Sequence, residues 1–299
     1  MNLVSKIIFA TGLVCAGFSL QAQTADPIVS ERKISKDGWT PSLTPDGVIK
    51  RYEHVNRVIE TPTIREIDVA WRRRVWRAID VRQKMNQAFV YEGDEYTGGG
   101  AFIEILLHLA RNKDIEVYHT DEFKTLLSGT ELEEKTAGSV DSVPVEDPIT
   151  GEITYMVTRT EFNPRAITKY RIKEDWIMDR NRGKMVVEIV GLAPVTMLIN
   201  RETGMPMGEA AMFWIYYPDA RKYLGQYEVY NPRNDLQRIS WADFFDARYF
   251  DSYVYKTSAN NPYGDELKMQ LNDNGLRMLQ EGERIMDEIY NKSMEMWEN

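Results

Sequence analysis

Three histidines are the side chains in this sequence best suited to metal binding or to general acid–base catalysis. His54, His108 and His119 lie far apart, no HExxH motif is present, and no two histidines are four residues apart. A zinc site needs three or four converging donors, and the one cysteine, Cys15, lies in an apolar N-terminal stretch. The sequence therefore predicts no metal site.

Motifs for nucleophilic catalysis and for phosphate binding are also missing. No GxSxG motif occurs, and Gly98-Gly99-Gly100 lacks the Lys-Ser/Thr pair of a phosphate loop, so we interpret it as a hinge. Carboxylates are abundant, but nothing singles out a pair suited to glycoside hydrolysis. From Gln270 to Glu281 the spacing is that of a calcium loop with one charged ligand, which predicts poor binding. We predict no enzyme, no catalytic residue and no cofactor.

Composition restricts the class of protein further. The 299 residues include 37 Lys and Arg against 46 Asp and Glu, which gives a formal net charge of −9. A hydrophobic fraction of 43% is ordinary for a folded protein. The acidic balance argues against a general nucleic-acid-binding protein, because such a protein needs a net basic surface.

The N-terminus has the pattern of a signal peptide, predicted to span residues 1–22. Lys6 precedes an apolar run, Ile7–Leu20, that is too short to span a bilayer, and a cut after Ala22 follows. Cleavage there removes Cys15, which also lacks the context of a lipidated cysteine. We therefore expect an exported chain without cysteine, disulfide or lipid, and no later segment is long and apolar enough to cross a membrane.

Residues 23–62 are predicted to form an extended N-terminal arm. Prolines and Asp-Gly pairs punctuate this stretch with turns. It also contains short apolar pieces that either add an edge strand or lie on a neighbouring molecule: Val48, Ile49, Val55, Val58 and Ile59.

Residues 63–127 are predicted to form a helical subdomain. Thr63 and Glu66 suggest a capping box at the start of a basic helix over 63–90. The apolar positions of this helix recur at helical spacing; they are Ile64, Ile67, Trp71, Val75 and Ile79. A second helix is predicted at 101–112 and a short strand at 115–118.

An acidic linker or long loop is predicted over residues 128–151, followed by an α+β domain over 152–299. Strands with short turns are expected between 152 and 230, a helix capped by Ser240 over 241–250, and a long last helix over about 265–296. The fold class is therefore α+β, with a basic N-terminal helical part, an antiparallel sheet in the middle and a long C-terminal helix.

The arginine run of the first predicted helix has three interpretations. It forms a solvated helix face, a salt-bridged contact with a partner or with the acidic stretch 131–147, or a surface for anionic lipid or cell-wall polymer. Arginine and tryptophan dominate the energetics of protein interfaces. The partner-interface candidates, on or beside the polar face, are Arg72, Arg73, Arg74, Trp76 and Arg77.

Five blocks of sequence stand out in the chain after the predicted signal peptide and span most of it. The blocks are residues 71–86 (WRRRVWRAIDVRQKMN), 192–194 (LAP), 213–221 (FWIYYPDAR), 228–235 (EVYNPRND) and 240–253 (SWADFFDARYFDSY). Long aromatic blocks in a fixed order are a more specific signal than any short motif above. Taken together and in this order, they resemble the GldN family, also called PorN, of the type IX secretion system.

The resemblance implies a non-enzymatic periplasmic component of a secretion and gliding apparatus. Members of this family assemble with a lipoprotein, GldK or PorK, into rings beneath the outer membrane that support export of proteins with a C-terminal sorting domain. The rings lie near peptidoglycan and the motor proteins GldL and GldM. A cell-wall (peptidoglycan) binding module and an unrecognised hydrolase remain as competing interpretations.

Overall fold

Seven antiparallel strands form the central sheet of the computed structural model, which describes residues 58, 62–91, 100–136, 140–146, 153–159, 162–199, 205–230 and 239–298. The strands of the described part are β1 (Val69–Asp80), β2 (Val117–Tyr118), β3 (Val140–Glu146), β4 (Ile153–Arg159), β5 (Lys169–Asp179), β6 (Lys184–Ile199), β7 (Pro206–Ala211), β8 (Trp214–Tyr216), β9 (Glu228–Val229), β10 (Ile239–Ser240) and β11 (Tyr253–Thr257). The helices are α1 (Phe102–Arg111), α2 (Gly129–Thr136), α3 (Tyr217–Leu224), α4 (Trp241–Asp246), α5 (Leu267–Gln270) and α6 (Gly275–Glu298).

The central sheet has the order β11-β1-β5-β6-β8-β2, and β7 also pairs with β6. β3 and β4 form a separate two-stranded sheet, as do β9 and β10. The predicted α+β class, antiparallel sheet and C-terminal helix are therefore confirmed. None of the described helices combines the length and the apolar character that crossing a bilayer would require.

The helix predicted over residues 63–90 is wrong, because Val69–Asp80 forms β1 and pairs with β5. Trp71, Val75 and Ile79 are four residues apart, and residues at this spacing share one face in a strand as well as in a helix. The apolar spacing was therefore compatible with both structures. The expected capping box is replaced by a short 3₁₀ turn at Glu66–Asp68.

Several other local predictions are confirmed. The helix expected at 101–112 is α1, whose apolar residues are almost all buried. Ser240 caps α4, since its hydroxyl accepts a hydrogen bond from the backbone N–H of Asp243 at 3.1 Å.

The last helix is interrupted: α5 ends at Gln270 and α6 begins at Gly275, with Asn272 and Asp273 at positive φ between them.

The stretch predicted as an acidic linker, 128–151, contains α2 and β3. Strands from both sides of it share the central sheet, since β1 pairs with β5 and β2 pairs with β8. The division of the chain into domains at this stretch stays a prediction. The predicted signal peptide 1–22, with Cys15, and the arm 23–62 lie outside the described residues, apart from Val58 and Pro62.

The largest hydrophobic cluster lies between one face of the sheet and α1, α3 and α4. Aromatic rings dominate it. The ring centres of Phe89 and Phe102 are 5.4 Å apart in an edge-to-face arrangement, and those of Phe102 and Trp241 are 4.2 Å apart. Tyr170 of β5 and Phe245 of α4 complete the cluster. Aromatic contacts of this kind add to the stabilisation from buried area alone.

A bulge interrupts the pairing of β1 with β11. Trp76 is opposite Lys256, whereas the next residue, Arg77, is opposite Val254, so Tyr255 is the extra residue on β11. A bulge changes the alternation of side chains between the two faces of a sheet.

Helix α6 packs on β11 and β1 through a second hydrophobic cluster that includes Val75, Val254 and Ile289. At Gly282 the helix comes very close to the strand, because a Cβ atom at this position would lie 2.9 Å from the Val254 carbonyl oxygen. The opposing atom is backbone, so it cannot move aside as a flexible side chain would.

We expect Gly282→Ala to lower the free energy of unfolding by about 1–3 kcal/mol, the usual cost of overpacking. Gly275→Ala is the matched control, because nothing lies within 4 Å of a Cβ atom there. The control should be neutral or slightly stabilising, since alanine favours helix more than glycine does. Urea unfolding of both variants measures the difference, and equal stability would contradict the close approach of α6.

Candidate partner-contact surface

The five predicted contact residues lie on β1, which presents alternate side chains to the two faces of the sheet. One face is covered partly by α6 and is called the α6 face; its residues on β1 include Trp71, Arg73, Val75 and Arg77. The opposite face is called the Asp121 face, and its residues on β1 include Arg72, Arg74, Trp76 and Ala78.

On the Asp121 face, Arg74 forms a bidentate ion pair with Asp175 of β5. Its Nε and Nη2 donate to the two carboxylate oxygens at 2.6 and 2.7 Å. The hydrogen bond to Asp175 raises the pKa of Arg74. Arg72 approaches the same carboxylate at 3.7 Å, but half of its side chain remains exposed (50%). Arg74 therefore stabilises the pairing of β1 with β5, whereas the exposed half of the Arg72 side chain can still contact another molecule.

On the α6 face, Arg73 and Arg77 connect β1 to its neighbours. Arg73 donates to Glu288 of α6 at 3.1 Å, and its guanidinium lies 5.4 Å from the centre of the Trp71 ring. Arg77 donates through Nε to the Ser252 hydroxyl at 2.8 Å and through Nη2 to the Ser252 carbonyl at 2.6 Å. Burial lowers the pKa of Arg77. Both arginines therefore hold the fold together.

Trp76 is the centre of a buried polar cluster on the Asp121 face, although the sequence suggested that it borders a polar surface. Only 8% of the residue is exposed. Its indole N–H donates to an Asp121 carboxylate oxygen at 2.8 Å, and the ammonium groups of Lys256 and Lys173 lie 4.5 and 5.6 Å from the ring centre. A partner would therefore reach little of this indole.

Lys173 of β5 completes the cluster. Its ammonium group donates to the Asp121 carbonyl and lies 3.4 Å from the carboxylate. Burial lowers the pKa of Lys173, and the charge of Asp121 offsets this only in part. Burial alone would raise the pKa of Asp121, but the charge of Lys173 and the hydrogen bond from Trp76 hold it below its usual value.

The strand β5 carries three consecutive charged residues that sequence analysis did not single out. Lys173, Glu174 and Asp175 are all buried. Glu174 accepts hydrogen bonds from Arg248 at 2.8 and 3.3 Å, on the face opposite the other two. The sequence did contain a signal for this feature, namely a run of three charged residues within a segment predicted to be a strand. Such charges need partners when they are buried.

A groove of about 490 Å³ opens further along the Asp121 face. Four of its charged lining residues pair with each other: Lys169 with Glu209 at 2.6 Å and Arg171 with Glu266 at 3.0 Å. The fifth, Lys268, lies 3.6 Å from Asp273. Met197 and Met207 form part of the apolar lining. Among the described residues, no group of three or more His, Cys, Asp or Glu side chains is placed to hold a metal ion.

Arg72 is thus half exposed and only approaches Asp175, whereas the side chains of the other four donate hydrogen bonds within their own chain. One of the three interpretations included salt bridges with the acidic stretch 131–147. None occurs among the described ion pairs of these arginines within the chain, whose partners are Asp175 and Glu288. Their role as partner contacts stays a prediction. The exposed methionines of β6 and β7 were missed by the sequence analysis, although they flank a predicted turn.

We expect Asp121→Asn to lower stability at pH 7 by about 1–2 kcal/mol, because Lys173 would lose its buried counter-charge. The folded pKa of Asp121 lies below its unfolded value of about 3.9. Its stabilisation is therefore complete above that pH and is lost as the pH falls through the folded pKa.

The variant should consequently lose less stability than the wild type between pH 5 and pH 3, measured by urea unfolding at each pH. Glu122→Gln is the control, because Glu122 forms an exposed pair with Lys124 and such pairs contribute little. A parallel loss in wild type and Asp121→Asn below pH 4 would argue against this account of the cluster.

A comparison with protein families matched the chain to the family described as gliding motility associated protein GldN. It covers residues 64–298, a range that contains every described helix and strand. No protein of curated function matches the chain.

Proposed function

The chain belongs to the GldN family of gliding motility associated proteins, and from this membership we propose that it is a ring-forming structural component of the secretion machinery. The family is associated with gliding motility and type IX secretion, and it is not known as a family of enzymes. The proposed rings are periplasmic, lie at the inner face of the outer membrane, and support export of cargo with a C-terminal sorting domain.

The observation that carries this proposal is the extent of the family match, which includes the whole described fold rather than one motif. The surface adds support. Large apolar side chains are exposed close together on β6 and β7, where Met197 and Met207 line one groove. Exposed apolar side chains that cluster on a folded protein mark contact surfaces.

A GldK-type lipoprotein is the proposed partner that holds this chain at the membrane. The predicted mature chain has no cysteine to carry a lipid, since Cys15 lies in the predicted signal peptide. Attachment through a lipidated protein would therefore supply the anchor. Self-association around a ring requires head-to-tail contacts that close.

The peptidoglycan-binding alternative has less support from the described residues. Carbohydrate-binding surfaces use accessible aromatic rings, but Trp76, Trp176, Trp214 and Trp241 are all buried. Among the residues whose side chains the structure describes, the exposed aromatic ones are tyrosines. Binding of the isolated monomer to peptidoglycan would nevertheless favour this alternative over the ring component.

The decisive experiment is a mass measurement of the mature protein, starting at residue 23, with and without the GldK-type lipoprotein. We expect a large assembly that contains both proteins. A solitary monomer that ignores the lipoprotein would contradict the proposal, and so would turnover of a substrate that one carboxylate substitution abolishes.

Among the five residues of β1, Arg72 is the one whose substitution tests a partner contact without removing a side-chain hydrogen bond found in the described structure. We expect Arg72→Gln to weaken binding to the lipoprotein while leaving the free energy of unfolding unchanged within about 0.5 kcal/mol. Arg82→Gln is the control, because Arg82 is also exposed and pairs with a neighbouring carboxylate, Asp80.

The measurement is co-purification yield at increasing salt, which screens exposed charges. Equal yields for Arg72→Gln, Arg82→Gln and wild type at every salt concentration would remove Arg72 from the contact surface.

A further inference from the structure

The C-terminal helix α6 has one buried side and two exposed flanks. The buried side faces the sheet and includes Gly282, Ile285, Met286 and Ile289. With 3.6 residues per turn, side chains on either side of this buried line reach the surface. The two flanks carry different residues and pair their charges differently.

The first flank, called the paired flank, holds ion pairs within the chain. Arg284 pairs with both Glu281 and Glu288. Glu288 also accepts a hydrogen bond from Arg73 of β1 at 3.1 Å. Opposite charges three and four residues apart stabilise a helix surface that faces water. This flank therefore needs no partner to balance its charges.

The second flank, called the α6 stripe, combines four exposed apolar side chains with two acidic ones. Its residues recur every three or four positions, so they lie within an arc of roughly 80° and extend over roughly 27 Å. They are Leu276, Leu279, Glu283, Asp287, Tyr290 and Met294. The exposed fractions of the four apolar residues are 67%, 41%, 54% and 66% in chain order.

The two acidic residues lie at the middle of the α6 stripe. Glu283 and Asp287 are both exposed. Among the described residues, neither takes part in an ion pair or a side-chain hydrogen bond, unlike the acids of the paired flank. Like charges four residues apart destabilise a helix. A cation supplied by another molecule would relieve this repulsion.

We propose that the α6 stripe binds an amphipathic helix of a partner protein whose centre is basic. Apolar residues of that helix pack on the two apolar residues at each end of the stripe. Lysine or arginine side chains between them pair with Glu283 and Asp287. Apolar anchors spaced by three and four residues are typical of helices that dock along their length. This inference rests on the proposed function, of which it specifies one contact surface.

The pattern of charges argues against a second copy of α6 as the occupant. The α6 stripe is nearly symmetric about Ile285, so two copies, whether parallel or antiparallel, would bring Glu283 and Asp287 of one helix against the same residues of the other. Four carboxylates would then meet within an apolar contact without a cation, which is unfavourable at neutral pH. The same two charges oppose binding to an anionic lipid surface.

The test uses the mature full-length protein and two synthetic helical peptides of about 20 residues, long enough to cover the α6 stripe. The basic peptide carries leucines near both ends, at the spacing of the stripe, and two lysines at its centre. The acidic peptide differs only in having glutamates in place of those lysines. We expect the acidic peptide to bind at least about tenfold more weakly, because like charges would meet. Fluorescence anisotropy of the labelled peptides measures both affinities, and equal affinities would overturn the proposal.

Reversing the charges of the α6 stripe should exchange this preference. In the double variant Glu283→Lys with Asp287→Lys, the acidic peptide should bind more tightly than the basic one. The matched control is Glu133→Lys with Glu134→Lys, which reverses two exposed acids on another helix, α2. The control should retain the wild-type preference. A reversed stripe that still prefers the basic peptide would contradict the proposed contact.

The apolar ends of the α6 stripe are tested by Leu276→Ser with Met294→Ser. We expect an affinity for the basic peptide at least about tenfold lower, because buried apolar area is lost from the contact. Leu126→Ser with Met85→Ser is the matched control, since both residues are similarly exposed elsewhere (55% and 57%). Circular dichroism should show both double variants folded. Unchanged affinity in Leu276→Ser with Met294→Ser would show that charge alone attracts the peptide, and the docking of a helix would be refuted.

Two further outcomes would assign the α6 stripe to another occupant. A dimer of the protein alone that dissociates in Leu276→Ser with Met294→Ser would show that a second copy covers the stripe. Binding to vesicles of phosphatidylethanolamine and phosphatidylglycerol that is lost in the same variant would show that the stripe faces lipid. Either result would overturn the proposal.

Assembly with the GldK-type lipoprotein separates this inference from the function on which it rests. The variant Glu283→Lys with Asp287→Lys should yield less of the large complex than its α2 control. Equal yields for wild type, variant and control would refute the contact surface alone. Failure of the wild-type protein to bind the lipoprotein, with the peptide preference intact, would refute the proposed function alone.

Discussion

The antiparallel pairing of β1 with β5 is the constraint on which the other features depend. It places Arg74 opposite Asp175 and Trp76 opposite Lys173 on one face, and Val75 opposite Glu174 on the other. A slip of one residue would exchange the faces of every side chain. It would move the arginine of the bidentate pair beneath α6 and expose Val75. The ion pairs and the hydrophobic clusters therefore specify the same register.

This pairing also changes how the arginine-rich block, residues 71–86, is interpreted. From the sequence alone, the block resembles a basic surface that binds an acidic partner. In the fold, Arg73 is hydrogen-bonded to α6, Arg74 to β5, and Arg77 to Ser252, which directly precedes β11. Of the four arginines, Arg72 alone remains half exposed, and the described surface also exposes Met197 of β6 and Met207 of β7.

Local features of the fold were predictable and long-range ones were not. The helix α1 and the cap at Ser240 depend on residues within one or two turns, so their signals are complete in the sequence. The strand β1 was mistaken for a helix because its apolar residues are spaced by four. The pair of Arg74 with Asp175 joins positions 101 residues apart, and no local pattern reveals which carboxylate an arginine will meet. The same holds for Trp76, whose burial depends on Asp121 from a distant segment.

The bulge at Tyr255 determines on which face of the sheet the charge of Lys256 lies. Tyr255 lies below the guanidinium of Arg171, and the next residue, Lys256, lies over the Trp76 ring. Two successive residues thus point the same way, which strict alternation would forbid. In a regular strand the Lys256 ammonium would be directed into the apolar layer beneath the C-terminal helix. The one extra residue therefore keeps the Lys256 ammonium out of the apolar layer. It also allows Tyr255 and Lys256 to lie on the same face of the sheet.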